Sequence, residues 1–209
     1  MADYARNRMF FASSTTLMLA VAGYMSFSLF WHDPVPVLWR IPLTVLLFII
    51  SQTITGMRVL ITKRPDLPFL LVRAGGFISS SFMVLSWLVL LRDLFLALCF
   101  GVSLLIPGLS GLEESLFSAL LSIPAELLML ASSLAAAAAG MARALAVPDV
   151  RRIDVAVKGL PKDLDGLKIA HLSDLHIGST FTGAWLEEVV RRTNALEPDF
   201  TLITGDLAD

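Results

Sequence analysis

The chain has 209 residues, of which 56% are hydrophobic and 16% charged, with a formal net charge of -2 and a mean hydropathy of +0.76. A water-soluble domain of this size does not carry that balance, so most of the chain is expected in lipid. The small net charge and the absence of a broad basic stripe leave no basis for a nucleic-acid partner, and the single cysteine, Cys99, excludes an intrachain disulfide and a cysteine-rich zinc site.

Three apolar segments, Met9 to Trp31, Val37 to Met57 and Pro68 to Leu91, are long enough to cross about 30 Å of hydrocarbon as helices. Arg40 and Arg73 lie near span ends, where a long cationic side chain reaches the headgroups. No acidic residue or histidine lies deep within these three runs. A fourth run, Ser115 to Ala142, holds one charge, Glu126, just after Pro124. Proline suits a first helical turn and a carboxylate suits the positive end of the helix dipole, so this span is expected to begin near Pro124. The alternative for Glu126 is a buried functional carboxylate.

The run Leu94 to Leu112 is weakened at its end by Pro107, Gly108 and Gly111; the spans number four, or five if it crosses. Ser110 and Glu113 fit a capping box that starts a short helix after it. Arg6 and Arg8 precede the first span, and Arg58, Lys63 and Arg64 follow the second, whereas the connection between them holds His32, Asp33 and Arg40. The positive-inside rule then sets the amino terminus inside, and four spans return the tail, with Arg143, Arg151 and Arg152, to the cytoplasmic side of the cell (inner) membrane. The first run exceeds a signal-peptide core and lacks a small-x-small cleavage site, so it reads as a retained anchor. Gly75, Gly76, Ser79 and Ser80, and Ala135 to Ala139, supply small residues for close helix approach.

Composition changes after Gly140, dividing the chain into a helical membrane region, 1–142, and a polar tail, 143–209. Ile153, Val155 and Val157 alternate with polar neighbours and predict a half-buried edge strand. Leu167 to Leu172 predicts a second strand, Leu186, Val189, Val190 and Leu196 an amphipathic helix, and Phe200 to Thr204 a short apolar strand. Strand, helix and strand over this length form a βαβ unit with parallel strands.

Asp174 and His176, in SDLHIG, follow the first of these strands, and Asp206, in LITGDLAD, follows the second. Asp-x-His and Gly-Asp are each common in turns. At the ends of two parallel strands around one helix, however, they emerge at one sheet edge, where α/β folds gather their ligands. Aspartate with histidine suits manganese, iron or zinc better than an all-oxygen magnesium site. Two such ions, with Asp174 and His176 on the first and Asp206 bridging, would serve phosphate ester hydrolysis, and Gly205 would let the backbone turn sharply ahead of Asp206.

These residues, with the lead-in KGLPKDLDGLKIAHLSDLH, resemble the first two motifs of the calcineurin-like metallophosphoesterases, membrane-anchored bacterial branch, over roughly Val150 to Asp209. The resemblance implies a transmembrane helical bundle followed by the first βαβ portion of a four-layer αββα metallophosphoesterase domain. It implies two divalent metal ions held in part by Asp174, His176 and Asp206, and a metal-bridging hydroxide that attacks phosphorus in line. Asp209 matches an acidic position of the family and is expected to cap a helix; His171 is expected to be packed or to support a ligand.

The family's later Asn-His and paired-histidine motifs are absent from these 209 residues, and His32 is the other remaining histidine. The chain is therefore expected to be an inactive amino-terminal fragment of a membrane-anchored phosphoesterase acting on phosphoesters at the bilayer, lipid-linked ones among them. The other reading is a non-catalytic helical membrane protein with a degenerate tail that binds a metal or a partner.

Overall fold

The computed structural model describes residues 2–31, 35–64, 67–178 and 181–208, without the side chains of residues 2–10 and of Pro107. His32, Asp33 and Asp209 lie outside the described residues. Seven α-helices and two strands follow in the order α1 (Ala2–Phe30), α2 (Val37–Ser51), α3 (Thr53–Lys63), α4 (Phe69–Leu105), α5 (Ser110–Leu120), α6 (Ile123–Ala144), β1 (Ile169–Ser173), α7 (Gly183–Asn194) and β2 (Phe200–Thr204).

Among the described residues three helices are long and apolar enough to cross a membrane: α1 over Phe11–Phe30, α4 and α6. A fourth span results if α2 and α3, bent by 41° at Gln52, are counted as one. The bend has a local cause. The hydroxyls of Ser51 and Thr53 bond back to the carbonyls of Phe48 and Ile50, at 2.8 and 2.6 Å, and compete there with the helical N–H groups.

The run expected to stand apart after Leu91 is instead continuous with the third span. Arg92 bonds Asp93 at 2.8 Å, so neither charge interrupts the helix, and one glycine, Gly101, costs only about 1 kcal/mol. The helix stops at Ile106, which is extended ahead of Pro107 because proline disfavours helical geometry in the residue before it. At about 1.5 Å per residue α4 is about 55 Å long, more than one bilayer thickness.

The expected capping box is not formed. Ser110 is already helical, and Glu113 accepts a hydrogen bond from Ser103 of α4 at 2.5 Å, which ties α5 back onto α4. Pro124 does sit in the first turn of α6, where the Ser122 hydroxyl accepts from the Ala125 N–H.

The helices alternate in direction. Near one end Tyr24 and Ser28 of α1 meet Asp93 of α4, and Arg92 faces Glu126 at the start of α6. Towards the other, Gly75 of α4 lies under Met57 of α3, and Gly76 lies near Met141 of α6. A Cβ at Gly75 would come within 2.9 Å of the Met57 sulfur, so this small residue sets how closely α3 and α4 approach. Ser79 and Thr53 add a hydroxyl contact at 3.1 Å across the same pair. Met18, Ala22, Met25, Leu29, Leu47, Phe82 and Val89 form the shared core. Large apolar side chains such as Phe27 and Leu38 face outward, at 73% and 80% exposure, which lipid stabilises and water does not.

In the tail, β1 and β2 pair in parallel, with Ile169 opposite Phe200 and Ser173 opposite Thr204. Asp199 closes the far end by accepting from the Lys168 N–H at 2.8 Å and donating its own N–H to the Lys168 carbonyl at 2.9 Å. The apolar stripe of α7 buries Val189, and Glu188 on its polar side bonds both Arg191 and Arg192. The expected edge strand around Ile153 is not formed: residues 147–157 are neither helix nor strand, and Ile153, Val155 and Val157 are exposed. Alternation alone does not hold a strand, and among the described residues β1 and β2 pair only with each other.

Candidate metal centre

The sheet brings the backbones of the three expected ligands together. Beyond Ser173 and Thr204 the pairing continues through Asp174 N–H to the Thr204 carbonyl (3.1 Å), His176 N–H to the Asp206 carbonyl (3.1 Å) and Ile177 N–H to the Leu207 carbonyl (3.0 Å). Isolated bridges join Ile177 to both Phe181 and Ala208. Phe181 stacks on Trp185 of α7 with centroids 4.6 Å apart, which ties the loop after His176 to the helix.

Both ligand positions just after the first strand have left-handed backbone, with φ of 52° at Asp174 and 46° at His176. Each such residue stores about 1–3 kcal/mol, and such strain concentrates at functional sites. Gly205, at φ 72°, makes the same turn without that strain.

The Asp174 carboxylate accepts from the Ser173 hydroxyl and from the Asp206 N–H at 3.4 Å. The Ser173 bond, followed by the Asp206 N–H, holds the carboxyl below its ordinary pKa, so it is ionised and ready to accept a cation. His171, expected to be packed or to support a ligand, is exposed and bonds Thr204 across the strands at 2.6 Å.

The donor types suit a divalent ion, and the strand ends bring their backbones together. The side chains do not close around one point: among the described residues no three His, Cys, Asp or Glu groups are gathered to hold a metal ion.

One polar cluster escaped the sequence reading. Arg92 and Asp93 follow an apolar run and read there as its end, yet they sit within α4 with side chains 4% and 27% exposed. Arg92 Nη1 lies 3.8 Å from Glu126 Oε1, whose side chain is 13% exposed, and Arg92 Nη2 donates to the Ser28 carbonyl at 3.2 Å. Glu126 thus occupies the expected first turn of α6 and is also half-buried beside a cation. The available signal was the adjacent Arg-Asp pair between two long apolar runs.

No family profile matches the chain, and no solved structure matches it. Three relatives do. A transmembrane protein with metallophosphoesterase domain from Bos taurus is 43% identical over 70 residues, covering 34% of this chain and 16% of that protein. The uncharacterized metallophosphoesterase Cj0846 of Campylobacter jejuni is 31% identical over 115 residues, 55% of this chain and 30% of that protein. The UDP-2,3-diacylglucosamine pyrophosphatase LpxG of Chlamydia trachomatis is 37% identical over 62 residues, 28% of this chain and 19% of that protein. The chain therefore spans less than a third of the length of these relatives. The Campylobacter match is longer than the polar tail, so it takes in part of the helical region as well. Over the part it shares with these proteins, the chain is similar to metallophosphoesterases, which supports its resemblance to the calcineurin-like family, and its long apolar helices are those of a membrane protein.

Proposed function

We propose that the chain is the amino-terminal part of a membrane-anchored phosphoesterase, with residues 1–142 as its transmembrane bundle and 143–209 as the start of a four-layer αββα hydrolase domain. The observation that carries this reading is the in-register parallel pairing of β1 with β2, continued by the bonds from Asp174 and His176 to the strand end at Asp206. Asp174, His176 and Asp206 would be this chain's ligands to a pair of divalent ions, with manganese, iron or zinc favoured by donor type. Such ions, when bound, neutralise charge on phosphoryl oxygens and sharpen a nucleophile at neutral pH. The chain's own residues prepare that site. Ser173 and the Asp206 N–H keep Asp174 ionised, and the cross-strand bond from His176 fixes the backbone that carries its imidazole. Further ligands would come from polypeptide beyond these residues, since the relatives are several times longer than the matched segments.

The helical anchor keeps the tail at the bilayer surface, and one relative is named for a diacylated sugar nucleotide and its pyrophosphate bond. Both support an amphiphilic, lipid-linked phosphoester as the substrate class. The alternating helix directions support four spans, which would return the tail to the side of the amino terminus, the cytoplasmic side by charge placement.

The test uses the protein extended to a complete domain. Manganese-dependent hydrolysis of a chromogenic phosphodiester is expected, lost in Asp206→Asn, while the 209-residue chain alone is expected to show none. An extended protein without metal-dependent turnover on any phosphoester would leave the helical anchor with a non-catalytic tail.

A further inference from the structure

The outer face of α4 carries an apolar stripe. Trp87, Leu91, Leu94, Leu98, Gly101 and Leu105 follow one another in alternating steps of four and three residues, and the five side chains among them are between 58 and 82% exposed. Val89, Arg92, Leu96 and Ser103 are buried on the opposite side, against the chain's own helices. An apolar step that averages 3.5 residues is the spacing of a coiled-coil seam.

Lipid covers only the first part of this stripe. Asp93 and Arg92 meet Ser28 in the last turn of α1, and Arg92 faces Glu126 in the first turn of α6. Both neighbouring spans end at that level, while α4 runs on from Leu94 to Leu105, about 18 Å further. Along this extension α5 covers one side, where Glu113 bonds Ser103, and the stripe lies on the other. Leu94, Leu98 and Leu105 would face water there, and a contiguous apolar surface in water marks an interaction site.

We propose that a second copy of the chain covers the stripe, α4 packing against α4 about a two-fold axis normal to the membrane. Copies inserted in one membrane share their orientation, so the two helices run parallel and each seam residue meets its own counterpart. Such pairing excludes charge from the seam, and the charges of this stretch, Arg92 and Asp93, turn to α1 and α6 instead. The five side chains expose roughly 600 Å² per copy, and flanking Phe95 and Val102 bring the contact towards the roughly 800 Å² that a stable interface buries on each partner. The interface is independent of the hydrolase reading, because none of its residues belongs to the polar tail.

The full chain carrying Cys99→Ala receives single cysteines and is oxidised with copper phenanthroline in liposomes at high lipid dilution. Leu94→Cys, Leu98→Cys and Leu105→Cys are each expected to give a disulfide-linked band of twice the chain mass. Leu104→Cys, also exposed but about 100° around the helix from Leu105, is expected to link at least fivefold less. Adding Leu98→Arg to Leu105→Cys sets like charges face to face and is expected to lower linkage at least fivefold, with helical circular dichroism unchanged. Equal linkage at Leu104→Cys and Leu105→Cys would mean random collision and overturn the proposal. So would single chains at every seam position, which would leave the stripe to lipid, or linkage that survives Leu98→Arg.

Discussion

Gly205 lies directly against the carboxyl group of Asp174: a Cβ built at position 205 would stand 2.8 Å from the Asp174 Cγ. The glycine at the end of the second strand therefore makes room for the carboxylate at the end of the first. Gly205→Ala is expected to cost about 1–3 kcal/mol through left-handed strain, beyond the displacement of Asp174. In the extended protein, manganese affinity measured by titration calorimetry is expected to fall roughly ten- to a hundredfold, as for loss of a group that orients a ligand. Unchanged affinity would mean that Asp174 does not need its present position to bind the ion.

The cluster of Arg92, Asp93 and Glu126 makes a prediction about the bundle. Removing the buried Arg92 leaves two half-buried carboxylates uncompensated, so Arg92→Leu is expected to destabilise the bundle, by at most about 3–5 kcal/mol, the cost typical of a fully buried pair. Replacing all three by leucine removes the charges together and is expected to recover most of that loss. Thermal unfolding in detergent micelles measures both, and a single variant as stable as the wild type would show the cluster to be energetically idle.

Acid is expected to loosen α7. The guanidinium groups of Arg191 and Arg192 pull the Glu188 pKa from 4.5 down to about 2. The ionised form is favoured in the folded helix, so the unfolded chain takes up its proton first as pH falls. The contribution is complete above about pH 4.5, declines as pH falls from there through about 2, and has the same sign as that of Asp174, whose carboxyl is also held low. Amide protection factors across residues 183–194, taken relative to the intrinsic exchange rate at each pH, are expected to fall over that interval, and Glu188→Gln to flatten the response.

Membrane topology can be read with alkaline phosphatase reporters fused after Glu114 and after Leu145. Four spans predict an active reporter at the first junction and an inactive one at the second. Activity at the second junction would require an additional crossing.

Gly75 offers a packing test in the helical part. Leucine there would overlap Met57, and overpacking of this kind costs about 1–3 kcal/mol. Gly101→Leu, into open space on the same helix, is expected to be tolerated, and their melting temperatures in micelles separate the two cases.

Local pattern determined much of this protein. The apolar runs located α1, α6 and the start of α4, because a helix in lipid must satisfy its own backbone and needs a set length to cross, but not the end of α4, which runs on to Leu105. Phe200 to Thr204 was read to the residue, since three apolar residues and two β-branched threonines between Pro198-Asp199 and Gly205 leave few alternatives. The pairing of SDLH with TGDL was legible as chemistry because strand, helix and strand of that length close only one way.

Only the tertiary structure decided the rest, for one reason: hydropathy reports each residue's own preference and not its partner. The third run reads as ending at Leu91, but Arg92 sits inside α4, where α1 supplies Ser28 and α6 supplies Glu126 beside its own neighbour Asp93. Ile153, Val155 and Val157 had the alternation of a strand but no neighbour among the described residues to pair with. Asp174 and Asp206 were recognisable as ligand types, but whether their side chains meet depends on left-handed turns and on Gly205, which no periodicity encodes.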